Sequence, residues 1–339
     1  MLKISAAPAQ DEAIERAVAA ARELGVEEEA VPLGASELAE RCASPRFRRG
    51  VLFREGATVQ PARLVRALRA AALDEGVTLH ERTPVLRVRR GSPNILETPG
   101  GRVLAREVVV AVNAAAAGWR PLARRLTVFG SYVVLTEPVP ELLERINWTG
   151  GEAIIDGRMF LHYFRTTNDG RVLMGSGSGP IGFRGRLDGR FTADARSVGR
   201  AEAGLRYLLP DLAAAKIERA WGGPIDVSAD HFPLFGTVPG TRVHYGAGYS
   251  GNGVGPSWLG GQIIARLALG IADELTGLPL VNRHVRPLPP EPVKRLGGGL
   301  VRAAALRLEE AEEDGRRASL PVRAVAALPR LIGLRVGTR

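Results

Sequence analysis

Between residues 241 and 270 the chain sets five glycines, at 246, 248, 251, 253 and 255, in a turn. A short strand, Thr241 to Tyr245, leads into the turn, and a helix leads out of it. Val254, Trp258, Leu259, Ile263, Leu267 and Ala268 recur at helical spacing from about Val254 onward. Glycine lets a bulky ligand approach bare backbone. The unpaired N–H groups and dipole at a helix start favour a negatively charged or electron-rich atom. The plainer alternative is a flexible strand–helix connection. A second pair, Tyr163 and Arg165, lies on the strand Phe160–Arg165, where alternation sends both side chains to one face. Arginine suits two-point binding of a carboxylate, although an exposed edge pair would read the same way. His231, ahead of Phe232 and Pro233, is a lone imidazole that either hydrogen-bonds in a site or is structural.

Composition narrows the chemistry. The single cysteine, Cys42, excludes an intrachain disulfide and a Cys-based zinc site, and the five histidines show no metal-ligand spacing. The formal charge is +10, carried almost wholly by arginine, since only Lys3, Lys216 and Lys294 are lysines. From residue 283 onward there are 12 Arg/Lys against 6 Asp/Glu, so the body is only mildly basic and no nucleic-acid partner is expected. No signal peptide is visible, and Val108 to Gly118, the most apolar stretch, is far shorter than the roughly 20 residues of a membrane helix. The reading is a cytoplasmic protein with no membrane partner.

At 339 residues the chain is long enough for two domains. Strands are expected at 2–5, 77–80, 85–89, 95–98, 103–104, 126–137, 153–155, 159–164, 171–175 and 217–225. Helices are expected at 8–24, 35–42, 61–74 and 193–209. Glu107 to Asn113 is a near-continuous apolar run of strand length, as in a parallel strand buried on both faces. Pro287, Pro289, Pro290 and Pro292 form a stiff linker to an amphipathic helix at 300–313 and a basic, apolar one at 320–332.

Gly246-Ala-Gly-Tyr-Ser-Gly-Asn-Gly-Val-Gly-Pro-Ser257 resembles the C-terminal flavin motif of the D-amino-acid oxidase/glycine oxidase/sarcosine oxidase family of FAD-dependent oxidoreductases. Ala220 to Asp226 and Asp230 to Gly236 resemble the segment leading into that motif, and the likeness covers roughly residues 2 to 285. It implies an α/β fold with α+β character: an incomplete FAD-binding Rossmann-like domain with an inserted antiparallel-sheet substrate domain. The divisions that follow are 1–49 (substrate part), 50–125 (FAD part), 126–235 (substrate domain), 236–282 (C-terminal FAD motif) and 283–339 (linker and tail). It also implies oxidation of a C–N bond in a small amine or amino acid by hydride transfer to flavin N5. Gly248, Tyr249, Ser250, Gly251, Asn252, Gly253 and Val254 would face the flavin ring, Asn113 and Ala114 would pass near the dinucleotide, and Val85 would meet the adenine, unless Val85 is simply a core valine. Tyr163, Arg165 and His231 become candidate substrate- or flavin-contacting residues, with Tyr249 closing over the ring.

Three departures stand out. No Gly-x-Gly-x-x-Gly turn opens a βαβ unit near the start of the chain, so the resemblance begins after the family's N-terminal nucleotide-binding half. Met1 then reads as an internal start, a truncation or one chain of a split protein, and binding of FAD by this chain alone is in question. A partner chain or self-association is expected to cover the incomplete sheet, and a non-catalytic binding or assembly module is the alternative function. Gly255 stands where sarcosine-oxidase-type members carry an oxygen-activating lysine, which leaves oxidase and dehydrogenase chemistry both open. No cysteine lies near Trp221 to His231, so any flavin would be non-covalent unless linked through the missing half.

Overall fold

The structure, a computed structural model, describes residues 1–331, 333 and 334. In chain order the strands are β1 (Leu2–Ser5), β2 (Ala30–Gly34), β3 (Arg49–Phe53), β4 (Arg87–Arg89), β5 (Asn94–Thr98), β6 (Gly101–Ala105), β7 (Val108–Val110), β8 (Leu126–Thr136), β9 (Ile154–Asp156), β10 (His162–Thr166), β11 (Val172–Ser176), β12 (Ile217–Ser228), β13 (Leu234–Thr237) and β14 (Val243–Ala247). The helices are α1 (Asp11–Glu23), α2 (Ala35–Ala39), α3 (Pro61–Asp74), α4 (Pro140–Arg145), α5 (Ala195–Leu208), α6 (Val254–Leu269), α7 (Val293–Glu313) and α8 (Leu320–Leu331). Ile332, the expected end of the last helix, lies outside the described residues.

Local chemistry explains the helix limits. Gln60 accepts the Arg63 N–H at 2.8 Å, and Pro61 supplies a pre-set φ where no N–H is needed, so α3 starts there. Asp194 caps α5 by accepting the Ser197 N–H at 3.0 Å. Gly270, with φ at 71°, ends α6 in the left-handed conformation that glycine adopts without strain.

The chain divides into two compact units. The first comprises Met1–Thr58, Thr127–Ile225 and Leu288–Arg339; the second comprises Val59–Leu126 and Asp226–Pro287. The first boundary, expected at 49/50, falls at 58/59, because β3 pairs with β1 and β2. The boundary expected at 235/236 falls at 225/226, and the tail belongs to the first unit.

In the first unit eight strands form one sheet in the order β12-β8-β11-β10-β9-β1-β3-β2. It is mixed rather than purely antiparallel, since β1 runs parallel to β9. Its core joins Leu2, Ile4, Trp148, Phe164, Met174 and Leu205, with Trp148 edge-on to Phe164 at 5.7 Å between ring centroids. The second unit has two three-stranded sheets, β13-β14-β7 and β4-β5-β6. Every residue of β14 is buried, and Ile263 and Ile264 of α6 pack with Phe235 of β13.

Two expectations fail in this unit. No strand forms at 77–80. The apolar run at 107–113 yields only β7, which is parallel to β14 as expected but not buried on both faces: Val109 is 48% and Val112 50% exposed. The cause is that β7 is a sheet edge, with no pairing strand on its other side among the described residues.

Candidate functional site

In the second unit β14 ends at Ala247 and α6 begins at Val254, so residues 248–253 form the turn that the glycine pattern predicts. Gly248, Ser250 and Gly251 all take positive φ, at 78°, 55° and 89°, which folds the backbone tightly. Asp226 holds it. This residue at the end of β12 is 1% exposed, and its carboxylate accepts the Gly248 N–H at 2.5 Å and is also hydrogen-bonded by the Tyr249 backbone. Its own carbonyl accepts the Ser250 N–H at 2.9 Å. Burial pushes the Asp226 carboxyl up, against the opposing pull of these backbone N–H groups.

Beyond the clamp the turn is open. The helix has no side-chain cap at Gly253. The Ser257 N–H donates back to the Gly253 carbonyl at 2.9 Å, and Pro256 has no N–H, which leaves the amides of Gly253, Val254 and Gly255 without an acceptor among the described residues. Asn252, Val254 and Gly255 are exposed, and a side chain built at Gly255 would meet nothing within 4 Å. The arrangement is a cradle of backbone donors, suited to the electron-rich edge of a planar group. A cavity of about 400 Å³ in this unit opens elsewhere, between Arg125, Thr237, Tyr245 and Asn282.

Tyr249 is turned inward rather than over the turn. Its ring lies edge-on to Phe235 at 5.9 Å and over Gly260, where an added Cβ would meet the Tyr249 hydroxyl at 2.5 Å. The missing side chain at Gly260 provides that space. Burial, and secondarily the charge of Asp226, push the phenol up. Asn113 takes a left-handed φ of 47° just after β7, followed by buried Ala114. Val85 is 49% exposed and precedes β4 rather than lying in a strand. His231 sits in the turn between β12 and β13 with φ at 66°, its amide 3.4 Å from the Ser228 carbonyl. Beside it, Arg283 pairs with Asp230 at 2.5 Å.

In the first unit, register places Tyr163 opposite Gly175 and Arg165 opposite Leu173, so the two share the sheet face opposite buried His162 and Phe164. Tyr163 lies across Gly175, where an added Cβ would come within 2.1 Å of its ring. Its hydroxyl meets Ser131 Oγ at 2.8 Å. Burial pushes this phenol up, with Ser131 acting the other way. Arg165 is half-buried and donates to the Thr166 carbonyl at 3.2 Å; no carboxylate pairs with it among the described residues. The face can therefore offer a neutral phenol and a guanidinium to a carboxylate-bearing molecule.

The sequence places Asp226 only at the end of the segment leading into the glycine turn, and neither it nor Gly260 is among the candidate site residues. The signal for Asp226 was a lone acid inside the apolar run Pro224-Ile-Asp-Val227. Among the described residues no cluster of His, Cys, Asp and Glu could hold a metal, and no helix is long and apolar enough to cross a membrane.

Comparison with known proteins bears on this arrangement. The chain is 30% identical over 244 residues to gamma-glutamylputrescine oxidoreductase of Escherichia coli, covering 71% of this chain and 55% of that protein. It is 25% identical over 247 residues to the probable oxidoreductase OrdL of Haemophilus influenzae, covering 71% and 54%. The chain thus spans about half the length of the curated relatives it matches. Among solved structures, glycine oxidase from Geobacillus kaustophilus superposes with a TM-score of 0.70 at 25% identity, over 84% of this chain and 75% of that one. L-Proline dehydrogenase from P. horikoshii, 18% identical, shares the fold with a TM-score of 0.66 over 81% of this chain and 74% of that one. Residues 2–267 match the family described as DAO, FAD dependent oxidoreductase, so the chain belongs to the DAO family of FAD-dependent oxidoreductases.

Proposed function

We propose that the chain holds the ring of non-covalently bound FAD and handles the substrate in an oxidoreductase acting on a C–N bond of a small amine or amino acid. The observation that carries this reading is the uncapped start of α6 behind a turn fixed from below by Asp226. The residues present fit one end of a flavin. Amides of Gly253 and Val254 can meet its electron-rich edge, and Gly251 and Gly255 present no side chain to obstruct it. When bound, FAD supplies the hydride acceptor. The chain's own amides would offset negative charge on that edge, as an oxyanion hole does. Arg165 would orient a substrate carboxylate, and the Tyr163 phenol would donate a hydrogen bond beside it. The names of the relatives, gamma-glutamylputrescine oxidoreductase and glycine oxidase, support a small amine or amino acid as the substrate class.

The grip on the dinucleotide phosphates is a separate matter. Among the described residues no glycine-rich turn opens a βαβ unit. The free edge of β7 and the exposed Val254, Trp258 and Leu269 of α6 support a further polypeptide segment, a partner chain or a second copy as the cover for this face. The same exposed face favours the second reading, a non-catalytic assembly module. A visible spectrum of the purified chain with added FAD, followed by anaerobic addition of amines and amino acids, separates the two. Retained flavin absorbance bleached by an amine supports the enzyme; a self-associated chain that retains no flavin supports the module. Oxygen consumption against dye reduction then decides between oxidase and dehydrogenase.

A further inference from the structure

Helix α7 lies wholly beyond residues 2–267, the part of the chain that matches the family. It nevertheless holds both strands of the β10–β11 pair at their open end, where His162 lies opposite Ser176. Gly298, Arg302, Ala305, Glu309 and Glu313 follow one another at intervals of four, three, four and four residues, a single stripe of the helix. Each makes a contact within the first unit.

At the turn entering β10, the Glu309 carboxylate accepts the N–H groups of Met159 and Phe160, the latter at 3.1 Å. Ala305, fully buried, packs with the Met159 and Phe160 side chains. Glu313 pairs with Arg158 at 2.7 Å, and Arg158 meets Asp156 at 3.0 Å. Asp156 in turn accepts the N–H of His162, the residue before Tyr163, at 2.9 Å.

At the segment leaving β11, Arg302 donates to the Ser178 carbonyl through Nε at 2.9 Å and Nη2 at 2.5 Å. Arg200 of α5 donates to the same carbonyl at 2.9 Å and to Ser178 Oγ at 2.8 Å. The next residues are locked to β8: Gly179 donates to the Gly130 carbonyl at 3.0 Å, and Gly130 donates to the Pro180 carbonyl at 2.9 Å. A Cβ at Gly179 would sit 2.2 Å from the Gly130 oxygen, so this approach requires glycine. Gly130 immediately precedes Ser131, whose hydroxyl meets Tyr163.

We propose that α7 is a positioning brace for the substrate face, fixing Tyr163 from the β10 side through Glu309 and from the β8 side through Arg302 and the Ser178–Pro180 segment. It rests on the reading above only in calling that face the substrate face. The contacts form a contiguous chain of backbone and of hydrogen bonds, buried on the Glu309 side and part-buried on the Arg302 side, the kind of connection that can transmit a local change.

The test follows the Tyr163 phenol itself, in the flavin-free chain, by NMR of tyrosine labelled at Cζ, with the signal assigned by Tyr163→Phe. Glu309→Ala and Arg302→Met should each shift the Tyr163 signal and bring its titration closer to that of a free tyrosine. The Tyr245 and Tyr249 signals in the other unit should stay in place. Glu309→Gln, which keeps an acceptor oxygen for the two N–H groups, should restore the wild-type signal. A Tyr163 signal unmoved in folded Arg302→Met and Glu309→Ala proteins overturns the brace; so does a shift that Glu309→Gln fails to rescue. If Glu309→Ala does not fold, Arg302→Met alone decides. In flavin-loaded protein, Tyr163→Phe then tests the substrate reading separately: a brace that moves Tyr163 while Tyr163→Phe leaves KM unchanged preserves the brace and removes the substrate role.

Discussion

Helices α6 and α7 use the same peptide chemistry to opposite ends. On α7 one stripe carries Arg302, Glu309 and Glu313, and each meets a partner in its own unit: Glu309 the N–H pair of Met159 and Phe160, Glu313 Arg158, Arg302 the Ser178 carbonyl. On α6 the side packed by Ile263 and Ile264 is satisfied, but the helix start is uncapped, and Trp258 is 74% and Leu269 73% exposed. A buried face closed by the chain's own side chains is architecture. A start left open over a turn fixed from beneath, and flanked by exposed apolar residues, is where something else belongs.

The largest effect should come from filling the space under the open turn. Gly260→Leu drives a side chain into the Tyr249 and Phe235 rings, and should cost about 3 kcal/mol of stability, at the upper end of overpacking. Chemical denaturation followed by near-UV circular dichroism would measure it; an unchanged midpoint would mean that Tyr249 is not held there.

Next comes the clamp. Asp226→Ala leaves the buried Gly248 and Tyr249 amides without their acceptor, a loss of about 2 kcal/mol. It should also speed amide hydrogen exchange across 248–253. Asp226→Asn keeps an acceptor and should leave exchange nearly unchanged at low pH. Because burial raises the Asp226 carboxyl, the stability it contributes is present below the unfolded-state pKa and lost as pH rises through the folded one. Asp226→Asn should flatten that part of the pH profile.

On the closed side, Glu313 gives a smaller effect of known sign. Burial pushes its carboxyl up from 4.5 to about 6, against the pull of Arg158. Docking of α7 is therefore favoured below pH 4.5 and weakens as pH rises towards 6, then levels off. Hydrogen exchange in α7 between those values should show the trend, and Glu313→Gln should abolish it. Exchange that slows as pH rises, after correction for its intrinsic rate, would reverse the assignment.

The smallest change in stability belongs to the exposed side of α6. Trp258→Ser should alter the stability of the isolated chain by no more than about 0.5 kcal/mol. The same substitution should reduce binding of an apolar dye and any self-association seen by light scattering. Equal association in both proteins would remove this face from consideration as a covered surface.

How much of this was legible in the sequence depends on distance along the chain. Pro61 with Gln60, and the glycines between Tyr245 and Val254, act within a few residues, and both α3 and the β14–turn–α6 unit follow from them. The shared face of Tyr163 and Arg165 follows from strand alternation alone. Asp226 reaches Gly248 across 22 residues, Arg302 reaches Ser178 across 124, and Glu309 reaches Met159 across 150. No local pattern announces such pairings. Tyr249 shows the same limit: a tyrosine in a glycine turn reads as ligand-facing, and nothing near it in the sequence shows that Gly260, on the next helix, makes room for its ring. The run at 107–113 looked buried on both faces because apolar residues cannot say whether a neighbouring strand is present.

The central claim is that the amides at the start of α6 receive a flavin ring. It is tested most directly by following the backbone amide resonances of the purified chain during titration with FAD, and with lumiflavin, which has the ring but no phosphates. The account predicts shifts concentrated at Gly248 to Gly255 with both ligands. Saturation by either flavin with those amides unmoved, and shifts gathered elsewhere, would contradict it.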